Sequence, residues 1–213
     1  GATGGVGSVA VMILSKMGYK VQRNDVVKYN GSLIKSEKKK YLVLNKPKGF
    51  ITSITDKKAK KTVEELVGNA CRERLYPIGS MDRTSTGVLL FTNDVDLAKK
   101  MAHPKSGAAQ IISVVLDKPL QKSDLTAIAK GIELEDGKIE VEEIKFIDER
   151  TKREVGLRLH SGKHRIVQRI FDKFGYTIEK MDRVSYAGLT KKNLSRGQWR
   201  FLDPKEIDFL KTR

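Results

Sequence analysis

Apolar residues recur along the chain with two spacings. In residues 163–175 (KHRIVQRIFDKFG), Val167, Ile170, Phe171 and Phe174 fall at i, i+3, i+4 and i+7. That period predicts an amphipathic helix stopped by Gly175, with Arg165, Arg169 and Lys173 on another face. Residues 155–160 (VGLRLH) alternate instead, as a half-buried strand does. Continuous apolar runs at 87–94 (GVLLFTND) and 110–117 (QIISVVLD) predict strands, and 40–54 (KYLVLNKPKGFITSI) reads as two short strands around a Lys-Pro-Lys-Gly turn. Capping signals mark short helices. Thr62 with Glu65 three residues on is a capping-box pattern, and Asn93-Asp94 precedes DVDLAKKMA. Ser123 and Gly131 bracket SDLTAIAKG, and Asp203 with Pro204 opens DPKEIDFLK. Asp136-Gly137 and Asn30-Gly31 signal turns, the first a hairpin, while residues 8–17 fit helix or strand equally.

Strands and helices mix without a βαβ rhythm, and the hairpin signal favours antiparallel pairing. An α+β fold is expected. Composition then narrows the function. The 213 residues carry 42 Lys+Arg against 26 Asp+Glu, a net charge of +16, which favours a polyanionic partner such as nucleic acid. The single cysteine, Cys71, excludes an intramolecular disulfide and a cysteine-based zinc site. No apolar run reaches the roughly 18–20 residues of a membrane span and no signal-peptide pattern appears, so a cytoplasmic protein that uses no membrane is expected.

Residues 76–94 (YPIGSMDRTSTGVLLFTND) hold the most informative chemistry. Asp82 sits in a turn between two apolar strands, with Gly79 and Gly87 allowing the backbone to bend on either side. A carboxylate there can face a cleft, or it can merely shape the loop as an Asx-turn does. Phosphoryl transfer through a D-x-D pattern would need an Asp where Thr84 stands, and Asp82 is the one acidic residue between Glu73 and Asp94, too few for a metal site. A strained G-x-S-x-G elbow is absent. An isolated Asp is left for nucleophilic or general-base work on a bound substrate.

The blocks LNKPKGFITS, YPIGSMDRTSTGVLLFTND, LAKKMAHPKSG, SGKHRIVQRIFDKFGY and RVSYAGLTKKNLSRGQWRFL resemble, in the same order, the bacterial ribosomal-RNA pseudouridine synthases that carry a small S4 RNA-binding domain in front. The resemblance covers about residues 39–213, the expected catalytic domain. It implies a central, largely antiparallel mixed sheet with flanking helices and a basic cleft. It also implies a reaction without cofactor, in which the N-glycosidic bond of a specific uridine breaks, the base turns, and it rejoins through carbon. The family's catalytic carboxylate falls on Asp82. Extruding the base costs a few kcal/mol, which phosphate contacts can offset.

The chain departs from the family at several positions. Ser80 and Met81 replace the Arg-Leu before the Asp. Gln110 and Ile112 stand in the strand where the family has a K-x-Y pattern, whose Tyr packs on the base. Gln168 replaces the Arg that pairs with the catalytic Asp, leaving Arg165 or Arg169 as substitutes. These departures motivate an alternative: an RNA-binding protein with a degenerate site. Residues 1–38 are expected to be a truncated or atypical S4-like remnant, with 22–40 (QRNDVVKYNGSLIKSEKKK) resembling the end of that domain. Residues 1–21 (GATGGVGSVAVMILSKMGYKV) resemble the dinucleotide loop of quinone-oxidoreductase-like enzymes, but the flanking strands such a site requires are not in the sequence, so no nucleotide cofactor is expected.

RNA contacts are expected from Lys46 and Lys48 in the turn, Arg83 beside Asp82, and Lys163, Arg165 and Arg169 on the helix. Lys57, Lys58, Lys60 and Lys61 read as exposed loop charge, Tyr186 and Trp199 as core, and the three histidines lack metal-ligand spacing. No metal is expected, and the protein is expected to act as a monomer.

Overall fold

The computed structural model describes residues 14, 16–18, 28–29, 32–33, 37–52, 61–103, 108–160, 163 and 165–212. The dinucleotide-like loop and most of the S4-like segment lie outside these residues. Within that segment, β1 (Lys28–Tyr29) pairs antiparallel with β2 (Ser32–Leu33); the expected turn at Asn30-Gly31 lies outside the described residues.

Three strands and two helices open the main body: β3 (Tyr41–Lys46), α1 (Val63–Val67), β4 (Tyr76–Ile78), β5 (Thr86–Thr92) and α2 (Val95–Met101). Next come β6 (Ala109–Leu116), α3 (Lys122–Ala129), the hairpin β7 (Ile132–Leu134) and β8 (Gly137–Ile139), β9 (Glu143–Phe146) and β10 (Glu154–His160). The chain closes with α4 (Ile166–Lys173), β11 (Ile178–Tyr186), β12 (Leu189–Thr190), β13 (Trp199–Phe201) and α5 (Pro204–Thr212). The main sheet runs β13-β3-β5-β11-β6-β10-β9, with β4 also on β5 and β12 on β11. Among the described strands of this sheet, only β5 and β11 pair in parallel, so the sheet is mixed and largely antiparallel, as expected for an α+β fold.

Every residue of β3 is buried, because both faces of the sheet are covered there. Tyr41 and Val43 pack with α2 and α5, while Leu42 and Leu44 pack with α1. A strand covered on both faces reads as a continuous apolar run rather than an alternation. A third apolar cluster joins β6, β10 and α4, where Val167, Ile170 and Phe171 are buried as their spacing predicts.

Capping explains most helix starts. Thr62 N–H donates to Glu65 Oε1 at 3.1 Å, closing the expected box. Asp203 Oδ1 accepts from Glu206 N–H at 2.8 Å, and Glu206 Oε2 accepts from Asp203 N–H at 3.0 Å. Four features differ from expectation. Helix α3 begins at Lys122 behind Gln121, so Ser123 lies inside it rather than capping it; Gln121 N–H is instead satisfied by the Tyr176 hydroxyl. Helix α4 begins at Ile166, and Arg165 precedes it in the left-handed region at φ 50°. No second strand follows the Lys-Pro-Lys-Gly turn over residues 47–52, where Ile51 makes only an isolated bridge to Thr62. The hairpin at Asp136 is present, but its turn residues are Glu135 and Asp136, and Gly137 already pairs with Leu134.

The sheet forks at β5. Residues Thr86 and Gly87 pair with β11, while Leu90, Phe91 and Thr92 pair with β4 on the same edge. The loop 79–85 joins β4 to β5 at this fork. Gly87 makes the close approach possible: its φ is +109°, and a Cβ there would stand 2.2 Å from the Arg183 carbonyl oxygen.

Candidate active site

Asp82 is set by the backbone around it. The Lys46 ammonium, at the end of β3, donates to the carbonyls of Asp82 at 3.0 Å and Ser85 at 2.7 Å. Gly49 N–H donates to the Arg83 carbonyl at 2.7 Å, and Met81 N–H donates to Thr52 Oγ1 at 3.1 Å. The turn after β3 therefore holds the loop along its length. This arrangement corrects the expected RNA contact of Lys46. Its side chain is fully buried, and its hydrogen bonds go to main-chain oxygens beneath the loop, so it has no surface to offer a phosphate. Burial pushes its pKa down to about 8, against the upward pull of Asp82 and with the help of Arg183.

The Asp82 carboxylate faces a cleft bounded by the loop, β6, β11 and the start of α4. Arg165 Nε stands 3.5 Å from Asp82 Oδ1 and donates to Gln168 Oε1 at 2.7 Å. Gln168, at the position where the resemblance expects an arginine, thus anchors the arginine that lies beside Asp82. Arg169 is elsewhere: its guanidinium holds Asp136 through two bonds of 3.0 and 2.6 Å, and pulls that carboxyl down to about 2. Lys163 also reaches the β7–β8 turn, donating to the Asp136 carbonyl at 2.9 Å, although it lines the cleft. Of the expected RNA contacts, Lys48, Arg83 and Arg165 are exposed near Asp82. Lys57, Lys58 and Lys60 lie outside the described residues.

Gln110 and Ile112 share the cleft-facing side of β6, so no tyrosine stands at the expected place. Two cleft residues escape a sequence reading. Arg183 and Tyr186, both on β11, are buried and line the cleft; Tyr186 lies in the core as expected and also reaches the cleft wall. The pairing explains it. Arg183 sits opposite Ile112 and Tyr186 opposite Gln110, because β11 carries one extra residue between Arg183 and Ser185. The bulge brings two residues three apart onto one face. The Arg183 guanidinium lies 4.5 Å from the Tyr186 ring centroid, and its Nε donates at 2.7 Å to the Val88 carbonyl at the fork. Trp199 packs in the α1-side core and meets Phe201 edge-on. Among the described residues, no cluster of three metal-ligating side chains occurs and no helix is long and apolar enough to cross a membrane.

Comparison with known proteins fits this geometry. Residues 40–173 match the family model described as RNA pseudouridylate synthase. The ribosomal large subunit pseudouridine synthase B of Bacillus subtilis is 32% identical over 202 residues, covering 93% of this chain and 82% of that protein. The like-named protein of Buchnera aphidicola is 32% identical over 204 residues, covering 92% and 83%. A crystal structure of a pseudouridylate synthase superposes with a TM-score of 0.73 at 24% identity, covering 90% of this chain and 83% of that one, which establishes the fold. With the family model spanning most of the main sheet and relatives this similar along nearly the whole chain, the protein belongs to the RNA pseudouridylate synthase family.

Proposed function

We propose that the chain isomerises a uridine of large-subunit ribosomal RNA to pseudouridine, with Asp82 as the reacting carboxylate and no cofactor. The observation that carries this reading is the clamped loop at the fork of the sheet. Lys46, Gly49 and Thr52 hold its backbone while Asp82 faces the cleft with Arg165 at 3.5 Å. Positioning of this kind is what a reacting group needs. The carboxylate is the group that would attack C1′ or take a proton from the sugar, and Arg165 stands beside it. Ribosomal RNA as substrate is supported by the names of the relatives, and the net charge of +16 suits any RNA. The paired strands 28–33 fit the expected S4-like segment as an additional RNA-binding element.

Ile112 favours a second reading, an RNA-binding protein that does not turn over, since stacking on an aromatic side chain is worth about 1–3 kcal/mol per base. One assay separates the two. Large-subunit ribosomal RNA transcribed in vitro is incubated with the chain and digested to nucleosides. Chromatography is expected to show one new pseudouridine per RNA; bound RNA with none would establish the binding-only reading.

A further inference from the structure

Three buried side-chain atoms among the described residues lack a hydrogen-bond partner: Glu64 Oε1, Ser85 Oγ and Arg183 Nη2. Ser85 and Arg183 both line the cleft beside Asp82. Buried polar groups are nearly always paired, so two orphans on one cleft wall point to an acceptor supplied from outside. Their positions are fixed. Ser85 is 2% exposed, and its carbonyl is tied to Lys46. Arg183 is 5% exposed, stacked on Tyr186 and bonded through Nε to Val88. Burial pushes the guanidinium pKa down to about 10, which leaves it cationic at neutral pH.

We propose that Arg183 Nη2 and Ser85 Oγ form the receptor for the carbonyl oxygens of the extruded uracil, with Arg183 stabilising the negative charge that the base acquires on departure. This rests on the isomerase reading above. The occupant is argued from the surroundings. Ile112 and Val167 line the same cleft, which suits a planar ring carrying neutral acceptors. A phosphate is better met by the exposed Lys48, Arg83 and Arg165. The chemistry requires such a donor. When the C1′–N1 bond breaks, its electron pair stays with uracil and spreads over N1, O2 and O4. The ring turns, C5 bonds to C1′, N1 gains a proton and C5 releases one, so atoms and charge balance. A fixed cation at a carbonyl oxygen acts while that charge exists, as an oxyanion hole does.

The test uses the full chain and large-subunit ribosomal RNA transcribed with sparse 4-thiouridine. In Asp82→Asn protein, irradiation is expected to attach the thio-base to residues 79–85 or 181–186, with less adduct when Ser85→Ala or Arg183→Gln is added. In protein that keeps Asp82, Arg183→Gln is expected to slow single-turnover tritium release from 5-tritiated uridine by about 100-fold. RNA affinity falls by far less than the rate, and Arg183→Lys recovers part of the rate. Ser85→Ala removes a single oxygen, so it decides the matter if Arg183→Gln lowers the melting temperature. Cross-links confined to other segments, or wild-type rates in folded Ser85→Ala and Arg183→Gln, overturn the proposal. Cross-links as described from a wild-type chain that releases no tritium support the base receptor and overturn the isomerase reading instead.

Discussion

Lys46 has no exposed surface, yet its ammonium donates to carbonyls of the loop that carries Asp82. Its pKa of about 8, set by burial, lies below the usual lysine value of about 10.4. As pH rises past 8, the folded protein loses this proton while the unfolded chain keeps it up to about 10.4. The unfolded state then binds more protons, so this group's contribution to stability rises with pH in that window. Turnover moves the other way, because the loop carbonyls lose a donor. A kcat/KM profile from pH 6.5 to 9.5 is expected to fall above about 8 without a fall in melting temperature; a coincident loss of both would contradict this role. Gln168 works through Arg165, and Gln168→Ala is expected to lower kcat by about tenfold with RNA affinity retained, since about 1.5 kcal/mol is the low end for a hydrogen bond to a charged group. At this scale the place of Asp82 in a loop between two strands was legible from the glycines and apolar runs on either side. The role of Lys46 was not, since a lysine in a basic turn looks the same whether its ammonium points out to solvent or in beneath a loop.

Helix α4, the capping box at Thr62 and the cap at Asp203 were legible because their signals are local, a period of apolar residues or a capping residue just ahead of the first turn. The fork of the sheet and the bulge in β11 were not. They depend on pairing between strands far apart in the sequence, Arg183 with Gly87 in one case and with Ile112 in the other, and one inserted residue changes which side chains share a face. The core place of Tyr186 was legible, but its shared cleft face with Arg183 was not. Gly87 is where this long-range geometry can be tested. Alanine there meets both a positive φ and the Arg183 carbonyl. Gly87→Ala is expected to cost at least about 1–3 kcal/mol from the backbone conformation alone, read as a drop in denaturation midpoint, and to abolish turnover. A variant as stable as wild type would contradict the close packing of β5 on β11. Asp94 supplies a second element-scale test. Burial works to raise its pKa, but bonds from Lys39, Tyr41 and the Leu97 N–H outweigh this and hold it below the ordinary aspartate value. Its stabilisation of α2 is present above the unfolded pKa of about 3.9 and lost as pH falls through the lower folded value. Asp94→Asn is expected to flatten the acid limb of the stability curve; an unchanged limb would remove Asp94 from that account.

Across the molecule, the net charge of +16 was the first sign of an RNA partner, but a total cannot say which cations face the ligand. The structure sorts them. Lys46 is internal and Arg169 is spent on Asp136, while Lys48, Arg83 and Arg165 remain exposed around the cleft. Replacing any one of those three with Gln is expected to reduce the slope of log K against log salt by about one, whereas Arg169→Gln leaves it nearly unchanged. Equal effects at all four positions would contradict that sorting. The central claim is that Asp82 performs the isomerisation and the rest of the cleft holds RNA around it. Single-turnover tritium release from ribosomal RNA labelled at uridine C5, comparing wild type with Asp82→Asn at saturating protein, tests it most directly. The account predicts RNA binding in both and a loss of release in the variant of more than about 100-fold; release from Asp82→Asn at the wild-type rate would contradict it.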